Sequence, residues 1–390
     1  MSHQGESPPA HRLKVAVLNR VFARTGGGAE AYSIAVVEQL ASSHEVHVFA
    51  QQIDHSWPGV HYHRVSSPGA KPRWINQLWY AFATWRATRK GFDVVHSHEN
   101  TWHGQVQTIH VRPLRFNLLG GRKGMALALR WLKIALSPRL LTYVGLEAAR
   151  CTVRPGRVVA VASESLGREV LDVYPHVAPM LQVVPPGVAL PPAGLLGKAE
   201  ARRASGVPEE SFVLLFVAND YARKGLEALL QALALLPPTI HLLVVGNPVA
   251  QSAYAARASQ LGVTGRVVFA GALKDVTTAY RAADALVHPT LEDSFGMVVL
   301  EAMSHGVPVV VSSASYCGAA NLLHDGVDAL LLDNPRDASA MALAIARLSD
   351  EPALCQALSA AALQLAAAHS WQAAGQNYAR IYATAALYHR

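Results

Sequence analysis

Short apolar runs recur along the chain, and each gives way to a polar loop. Lys14–Leu18, Glu45–Ala50, Asp93–His98, Gln105–His110 and Val158–Ser163 form one series; Phe212–Ala218, His241–Gly246, Val267–Gly271, Asp284–His288 and Val307–Val311 form a second. Runs of this length with few polar interruptions suit strands buried on both faces of a parallel sheet. Between them, amphipathic or Ala-rich stretches read as helices. These are the stretch opened by Gly26-Gly27-Gly28-Ala29-Glu30 and running to about Leu40, Glu164–Val173, the segment from Gly225 through Leu235, and Phe295–His305, which Gly306 ends. Ala338–His369 continues as helix, and Trp371–Tyr388 carries the same apolar spacing to the end. The alternation predicts an α/β fold.

At 390 residues the chain is too long for one ordinary core and fits two domains. Gln182-Val-Val-Pro-Pro-Gly-Val188 reads as the crossing, with Leu190–Gly197 a looser continuation. The expected division is therefore 1–187 and 188–370. Cysteine occurs only at 151, 317 and 355, as in a reduced cytoplasmic enzyme without a disulfide framework. No apolar run of about 18 residues appears, and none precedes the first strand, so neither a membrane span nor a secretory signal is expected.

The richest chemistry lies in His288–Val311, HPTLEDSFGMVVLEAMSHGVPVVV. A loop feeding a helix between two buried strands makes an anion site, because the first helical turn leaves backbone N–H groups unpaired. The backbone of Gly296, Met297 and Val298 is placed to hold a phosphate. Asp293 and Glu301, eight residues apart, are positioned to address one ligand. The plainer reading is a dipole partner before the helix and an acid on its solvent face. A second anion cradle follows Phe212–Ala218, where Asn219-Asp-Tyr-Ala-Arg-Lys-Gly225 offers Arg223 as a fork and Lys224 as a point charge.

In the first half, Gly26–Glu30 brings backbone and N–H groups to a helix start, or is a plain Gly-rich turn. Read as G-x-G-x-x-A it is a poor dinucleotide fingerprint: the loop is long, and Glu45–Ala50 does not end in the acid that would hold a ribose. His98 and His110 close consecutive strands, where an open α/β sheet places its ligand crevice. No H-x-x-x-H or acid-plus-His helix spacing accompanies them, so no metal is expected.

These strings resemble the retaining glycosyltransferases of family 4. The Asp293/Glu301 pair around Phe295-Gly296, followed by E-A-M-x-x-G-x-P-V-V, is similar to their E-x7-E signature; Asp293 stands where Glu is usual, with Glu292 beside it. R-K-G-L at 223–226 resembles their donor-phosphate loop, in the form seen in bacterial lipopolysaccharide core glucosyltransferases, and G-G-x-E at 27–30 resembles their glycine loop. The resemblance implies the GT-B fold, two Rossmann-like doubly wound domains facing across a cleft, with the last helix, 371–390, packing back on the first. It implies that Glu301 binds the ribose, Arg223 and Lys224 the diphosphate, and Gly271, Ala272 and Leu273 the base. Asp293 would orient the donor sugar with His110. Gly27 and Gly28 would lie near the diphosphate, and Glu30 and His98 on the acceptor side. Cys317-Gly318 stands where Gly-Gly is common; packing is the expected role of Cys317.

Charge adds a partner. Residues 1–187 carry 21 Lys plus Arg against 11 Asp plus Glu, while the remainder is slightly acidic. With no zinc-finger spacing, RNP motif or basic zipper, nucleic acid is not expected. Lys71–Phe92 and Arg122–Leu141 interleave Trp, Phe and Leu with Lys and Arg. Each reads either as a core-facing helix with a solvated basic face or as an interfacial helix on anionic lipid. The expectation is a metal-independent, cofactor-free hexosyltransferase, cytoplasmic and peripheral on the inner membrane. It would move a hexose from a nucleoside diphosphate sugar, UDP favoured, to a lipopolysaccharide or other envelope glycan or glycolipid. A GT-B sugar-nucleotide epimerase and a degenerate glycan-binding protein are the alternatives.

Overall fold

The computed structural model describes residues 12–23, 28–69, 71–192 and 194–388. It divides into two compact units. One comprises the chain up to Val161, Gly167–Val184 and the segment from Ala374 on; the other comprises Ala162–Leu166 and Pro185–Ala373.

The first unit holds strands β1 (Lys14–Leu18), β2 (Val21–Phe22), β3 (Glu45–Ala50), β4 (Gln52–Ile53), β5 (Val60–Arg64), β6 (Val94–Ser97), β7 (Val106–Ile109), β8 (Val158–Val161) and β9 (Leu181–Val183). Seven of them make one parallel sheet in the order β5-β3-β1-β6-β7-β8-β9, while β2 and β4 pair separately. Central strands are buried throughout, and edge strand β5, Val-His-Tyr-His-Arg, is half exposed and polar. Such residues blunt an edge against stray pairing.

The second unit holds β10 (Phe212–Ala218), β11 (Ile240–Gly246), β12 (Val267–Gly271), β13 (Ala285–His288), β14 (Val309–Ser312) and β15 (Leu330–Leu332), all parallel, in the order β12-β11-β10-β13-β14-β15. Side chains alternate across the pleat. Leu214, Phe216, Leu242 and Val244 pack with Leu229, Leu233, Met341 and Ile345 on one face. Val213, Leu215, Leu243 and Val245 pack with Tyr280, Val299, Leu300 and Met303 on the other. Each such side chain contributes about 1.5–3 kcal/mol of burial, so both helix layers are fixed by the strand pattern.

Local chemistry moves several boundaries. Helix Met297–Ser304 starts two residues later than Phe295, because Gly296 is left-handed, with φ of +94°. The expected single helix 338–369 is two, Ala338–Asp350 and Pro352–Ala368. Pro352 forces Glu351 out of helical geometry, and Asp337 caps the first helix by accepting from the Ser339 and Ala340 amides at 3.0 Å. The division between units falls after Val184, not after 187, and Ala162–Leu166 groups with the second unit. There Ser163 Oγ donates to the Ser294 carbonyl at 2.8 Å and Ser165 Oγ to that of Ala314 at 2.7 Å.

Helix Arg73–Thr88 inverts the core-facing reading. Its inner face is Gln77, Tyr80, Ala81, Thr84 and Thr88, and its outer face exposes Ile75, Leu78, Trp79, Phe82 and Trp85. Helix Gly124–Ala135 likewise buries only Ile134 and exposes Met125, Leu129, Trp131 and Leu132. No helix among the described residues is long and apolar enough to cross a membrane.

Candidate active site

In the second sheet the strand order reverses between β10 and β13, and open α/β sheets bind ligands beyond the carboxyl ends of the strands at such a switch point. The loops after β10 and β13 meet there. The Leu291 amide donates to the Arg223 carbonyl at 2.9 Å, and a Cβ on Gly225, whose φ is +82°, would fall 2.0 Å from the Pro289 oxygen. Only glycine allows this approach.

The packing places Lys224 Nζ on Asp293 Oδ2 and 3.2 Å from the Glu292 carbonyl. His288, at the end of β13, lies 3.2 Å from the same Asp293 oxygen. Burial works against the Asp293 charge, but the His288 hydrogen bond and the Lys224 ammonium outweigh it and hold the carboxyl well below its usual range. Burial, in turn, keeps His288 below its ordinary value despite Asp293, and its buried Nδ1 has no partner among the described residues. The Asp293 backbone is fixed too: its amide donates to the Tyr316 carbonyl at 2.7 Å, and its carbonyl accepts from Gly318 at 3.0 Å. The carboxylate is thus one corner of a Lys–Asp–His set.

Arg223 is exposed, its Nε 3.7 Å from Asp220 in a half-exposed ion pair that solvent screens. Gly296 begins helix Met297–Ser304 with no side chain capping it, which leaves the first-turn amides of Met297 and Val298 without an intrahelical acceptor. A Cβ on Gly296 would sit 2.9 Å from Cys317 Sγ and 3.5 Å from Asp293 Oδ2. Cys317 is buried, donates to the Phe295 carbonyl at 3.1 Å, and has its thiol pushed up to about 12 by burial, which agrees with packing and not nucleophilic attack.

Glu301 belongs to a different set. Tyr280 donates to Glu301 Oε2 at 2.7 Å, and burial raises the carboxyl above its usual range. Gly271 closes β12 with φ of +69°, and Ala272 and Leu273 follow it exposed. Sequence reasoning passed over His288 and Tyr280, although the one is the last residue of a buried strand and the other one of the most buried aromatic residues in a helix facing Glu301.

The first unit reverses its strand order between β1 and β6. Beyond the ends of β6 and β7, His98 Nδ1 lies 2.8 Å from His110 Nε2, with the rings stacked 5.1 Å apart. Tyr32, one turn into helix Gly28–Leu40, packs edge-on to His110 and shares a 2.8 Å hydrogen bond with Tyr378. His96 joins Tyr382 at 2.6 Å and Thr108 at 2.7 Å. Burial, with Arg150 nearby, lowers His96 and His110 to about 3 and carries His98 down as well, so all three are neutral near pH 7. Among the described residues the buried His98 Nε2 has no partner. Glu30 stands in the first turn of its helix. Gly28 has open space where a Cβ would go, so nothing in the described structure demands glycine there; Gly27 lies outside the described residues.

Two parallel sheets, each with polar residues gathered at its switch point, define the GT-B architecture. The family model "Glycosyltransferase Family 4" matches residues 26–190, and "Glycosyl transferases group 1" matches 197–365. Together they take in most of the chain, which belongs to these glycosyltransferases. D-inositol 3-phosphate glycosyltransferase of Thermobispora bispora is 34% identical over 232 residues, 56% of this chain and 54% of its own length. Lipopolysaccharide glucosyltransferase WaaG of Escherichia coli is 36% identical over 128 residues, 32% of this chain and 33% of its own. The chain spans about half the length of the first of the curated relatives it matches. Among solved structures, WaaG, a glycosyltransferase involved in lipopolysaccharide biosynthesis, superposes with a TM-score of 0.77 at 21% identity, over 94% of this chain and 99% of that one. HepE of Anabaena in complex with UDP and glucose gives 0.70 at 18% identity, over 96% and 100%.

Proposed function

We propose that the chain transfers a hexose from a nucleoside diphosphate sugar, UDP-linked by preference, to a lipopolysaccharide or other cell-envelope glycan or glycolipid, with retention of configuration and without a metal. The observation that carries the reading is the meeting of Lys224 with Asp293 at the second sheet's switch point, beside exposed Arg223 and the uncapped helix start at Gly296. A departing diphosphate needs positive charge aimed where its negative charge develops, and preorganised donors do that without reorganising. Arg223, Lys224 and the amides of Met297 and Val298 take that part. Glu301 accepts the ribose hydroxyls, with Tyr280 fixing one of its oxygens, and the backbone of Gly271, Ala272 and Leu273 borders the base. Asp293, already oriented by two partners, addresses the sugar. His110, neutral at pH 7, acts as a hydrogen-bond partner and not as a cation; His98 and Glu30 serve the acceptor.

The exposed aromatic faces of Arg73–Thr88 and Gly124–Ala135, in the basic half of the chain, support a peripheral seat on the anionic cytoplasmic face of the membrane. The test is incubation of the purified protein with a panel of UDP-, GDP- and ADP-sugars, read as released nucleoside diphosphate. Turnover of one UDP-sugar is expected, slow without acceptor. Failure of every donor to bind or turn over overturns the reading.

A further inference from the structure

Histidines alternate on two neighbouring strands of the first sheet. Glu45 and His47 lie on β3, and His61 and His63 lie on edge strand β5. The parallel register pairs His47 with His61. Side chains two apart share a face, so all four project from the same side. On that face Glu45 Oε1 is 2.9 Å from His47 Nε2, and His47 Nδ1 is 2.8 Å from His63 Nε2. The rings of His47 and His61 stack 4.6 Å apart, and one donor atom each from Glu45, His47 and His61 lies within 4.8 Å of the others. Glu45 and His47 lie toward the amino end of β3, whereas His98 and His110 lie beyond the carboxyl ends of their strands.

Imidazole nitrogens gathered beside a carboxylate on one face are a ligand set. We propose that this face binds a borderline divalent transition metal such as Zn²⁺, with Glu45, His47 and His61 as its ligands and water in the remaining position. Two imidazole nitrogens and one carboxylate oxygen suit Zn²⁺, Ni²⁺ or Cu²⁺ and not Mg²⁺ or Ca²⁺. His63 completes the arrangement from behind: with the metal on His47 Nε2, the proton of His47 sits on Nδ1, 2.8 Å from His63 Nε2, which is how ligating histidines are held in one tautomer and orientation. Tetrahedral ligands stand about 3.3 Å apart at zinc distances. His61 is exposed and closes the gap by turning its side chain. The metal displaces Lys14, 3.2 Å from Glu45, from a half-exposed ion pair of small value. Because β5 is the sheet edge, the ion fastens it to β3, and binding only the folded chain raises its melting temperature.

The experiment uses the full chain stripped with chelator and titrated with ZnCl₂ against a chromophoric zinc indicator, with thermal melts in parallel. Expected are one zinc per chain with micromolar affinity, a melting temperature raised by zinc and returned by EDTA, and no response to MgCl₂. His61→Ala should lower zinc affinity at least tenfold and abolish the thermal shift. His324→Ala, at an exposed histidine of the other unit, should change neither. The chain has 18 histidines, so stoichiometric binding unchanged in His61→Ala places the metal elsewhere and overturns the proposal, as does the absence of saturable binding. Should His61→Ala lose native circular dichroism, wild-type protein decides: zinc must protect His47 and His61 from diethylpyrocarbonate, and modification at equal rates with and without zinc refutes the site.

Discussion

Replacing Lys224 by methionine tests the electrostatic core of the second unit. The change keeps the length of the side chain and removes its charge, leaving the Asp293 carboxylate with His288 at 3.2 Å and the Phe295 amide at 3.3 Å. The two side chains are 12% and 20% exposed. Removing one partner of a fully buried pair costs about 3–5 kcal/mol; at this residual exposure water screens part of the stranded charge, and about 2–3 kcal/mol is expected. The pH dependence follows from the sign of the Asp293 shift. Its folded pKa is depressed, so the stabilisation is fully present above the unfolded value near 4 and is lost as pH falls toward the folded one. In Lys224→Met burial is opposed by the His288 and Phe295 hydrogen bonds without the Lys224 charge, and the carboxyl rises. The gap between wild type and variant is therefore widest at neutral pH and narrows below about pH 4. Urea unfolding followed by circular dichroism at pH 7, 5, 4 and 3 measures it. The double variant Lys224→Met/Asp293→Asn should recover part of the loss, because the stranded charge is gone. A gap that stays constant with pH, or a double variant that simply adds the two single losses, would falsify the account.

The glycines separate by geometry: Gly225→Ala must fit a Cβ 2.0 Å from the Pro289 oxygen at positive φ and should lose more than about 1 kcal/mol, whereas Gly28→Ala, with open space, should melt as wild type. Trp79→Ser/Phe82→Ser, on an exposed face, should change stability by no more than about 0.5 kcal/mol per site yet abolish flotation with anionic vesicles; retained flotation removes the membrane seat from this helix. The neutral histidines of the first unit give an acid prediction: their folded pKa values are lowered, so their stabilisation is present above about pH 6.5 and declines as the unfolded chain takes up protons below it. His96→Gln should flatten that decline in unfolding midpoints between pH 7 and 4.5, and an unchanged slope rejects the assignment.

What the sequence made legible follows the range of the forces involved. Continuous apolar runs announced the principal strands, because a strand buried on both faces leaves polar residues no room. Arg223, Lys224 and Asp293 were named from local context, but their pairing was not, because it depends on two loops 69 residues apart meeting at one strand-order reversal. His288 and Tyr280 escaped for the same reason: a strand-end histidine and a helix tyrosine acquire meaning only beside Asp293 and Glu301. For the aromatic helix, periodicity reports that one face is apolar and not which way it points; Tyr80 and Thr84 turned inward show that the apolar face is exposed. Metal spacing was sought along single segments, at His98 and His110, and such a search cannot find Glu45, His47 and His61, which meet across a strand register.

The two switch points use opposite electrostatics, and that difference bears on the division of labour proposed for them. In the second unit burial works against Asp293, yet paired charge prevails, and a second cation, Arg223, stands exposed in a solvent-screened pair with Asp220. Adding a diphosphate there brings anionic charge to a site with positive charge and unpaired amides to spare. In the first unit burial prevails instead: His96, His98 and His110 are neutral, and Arg150 is committed to the Thr108 carbonyl at 2.7 Å and to Asn100 at 2.8 Å. Such a site attracts no diphosphate by charge, but neutral imidazoles, and His98 Nε2 with no partner among the described residues, suit the hydroxyl groups of a sugar, which both donate and accept. Exchanging the charge states, by stranding Asp293 or by protonating the histidines, should therefore impair donor binding in the one case and sugar positioning in the other.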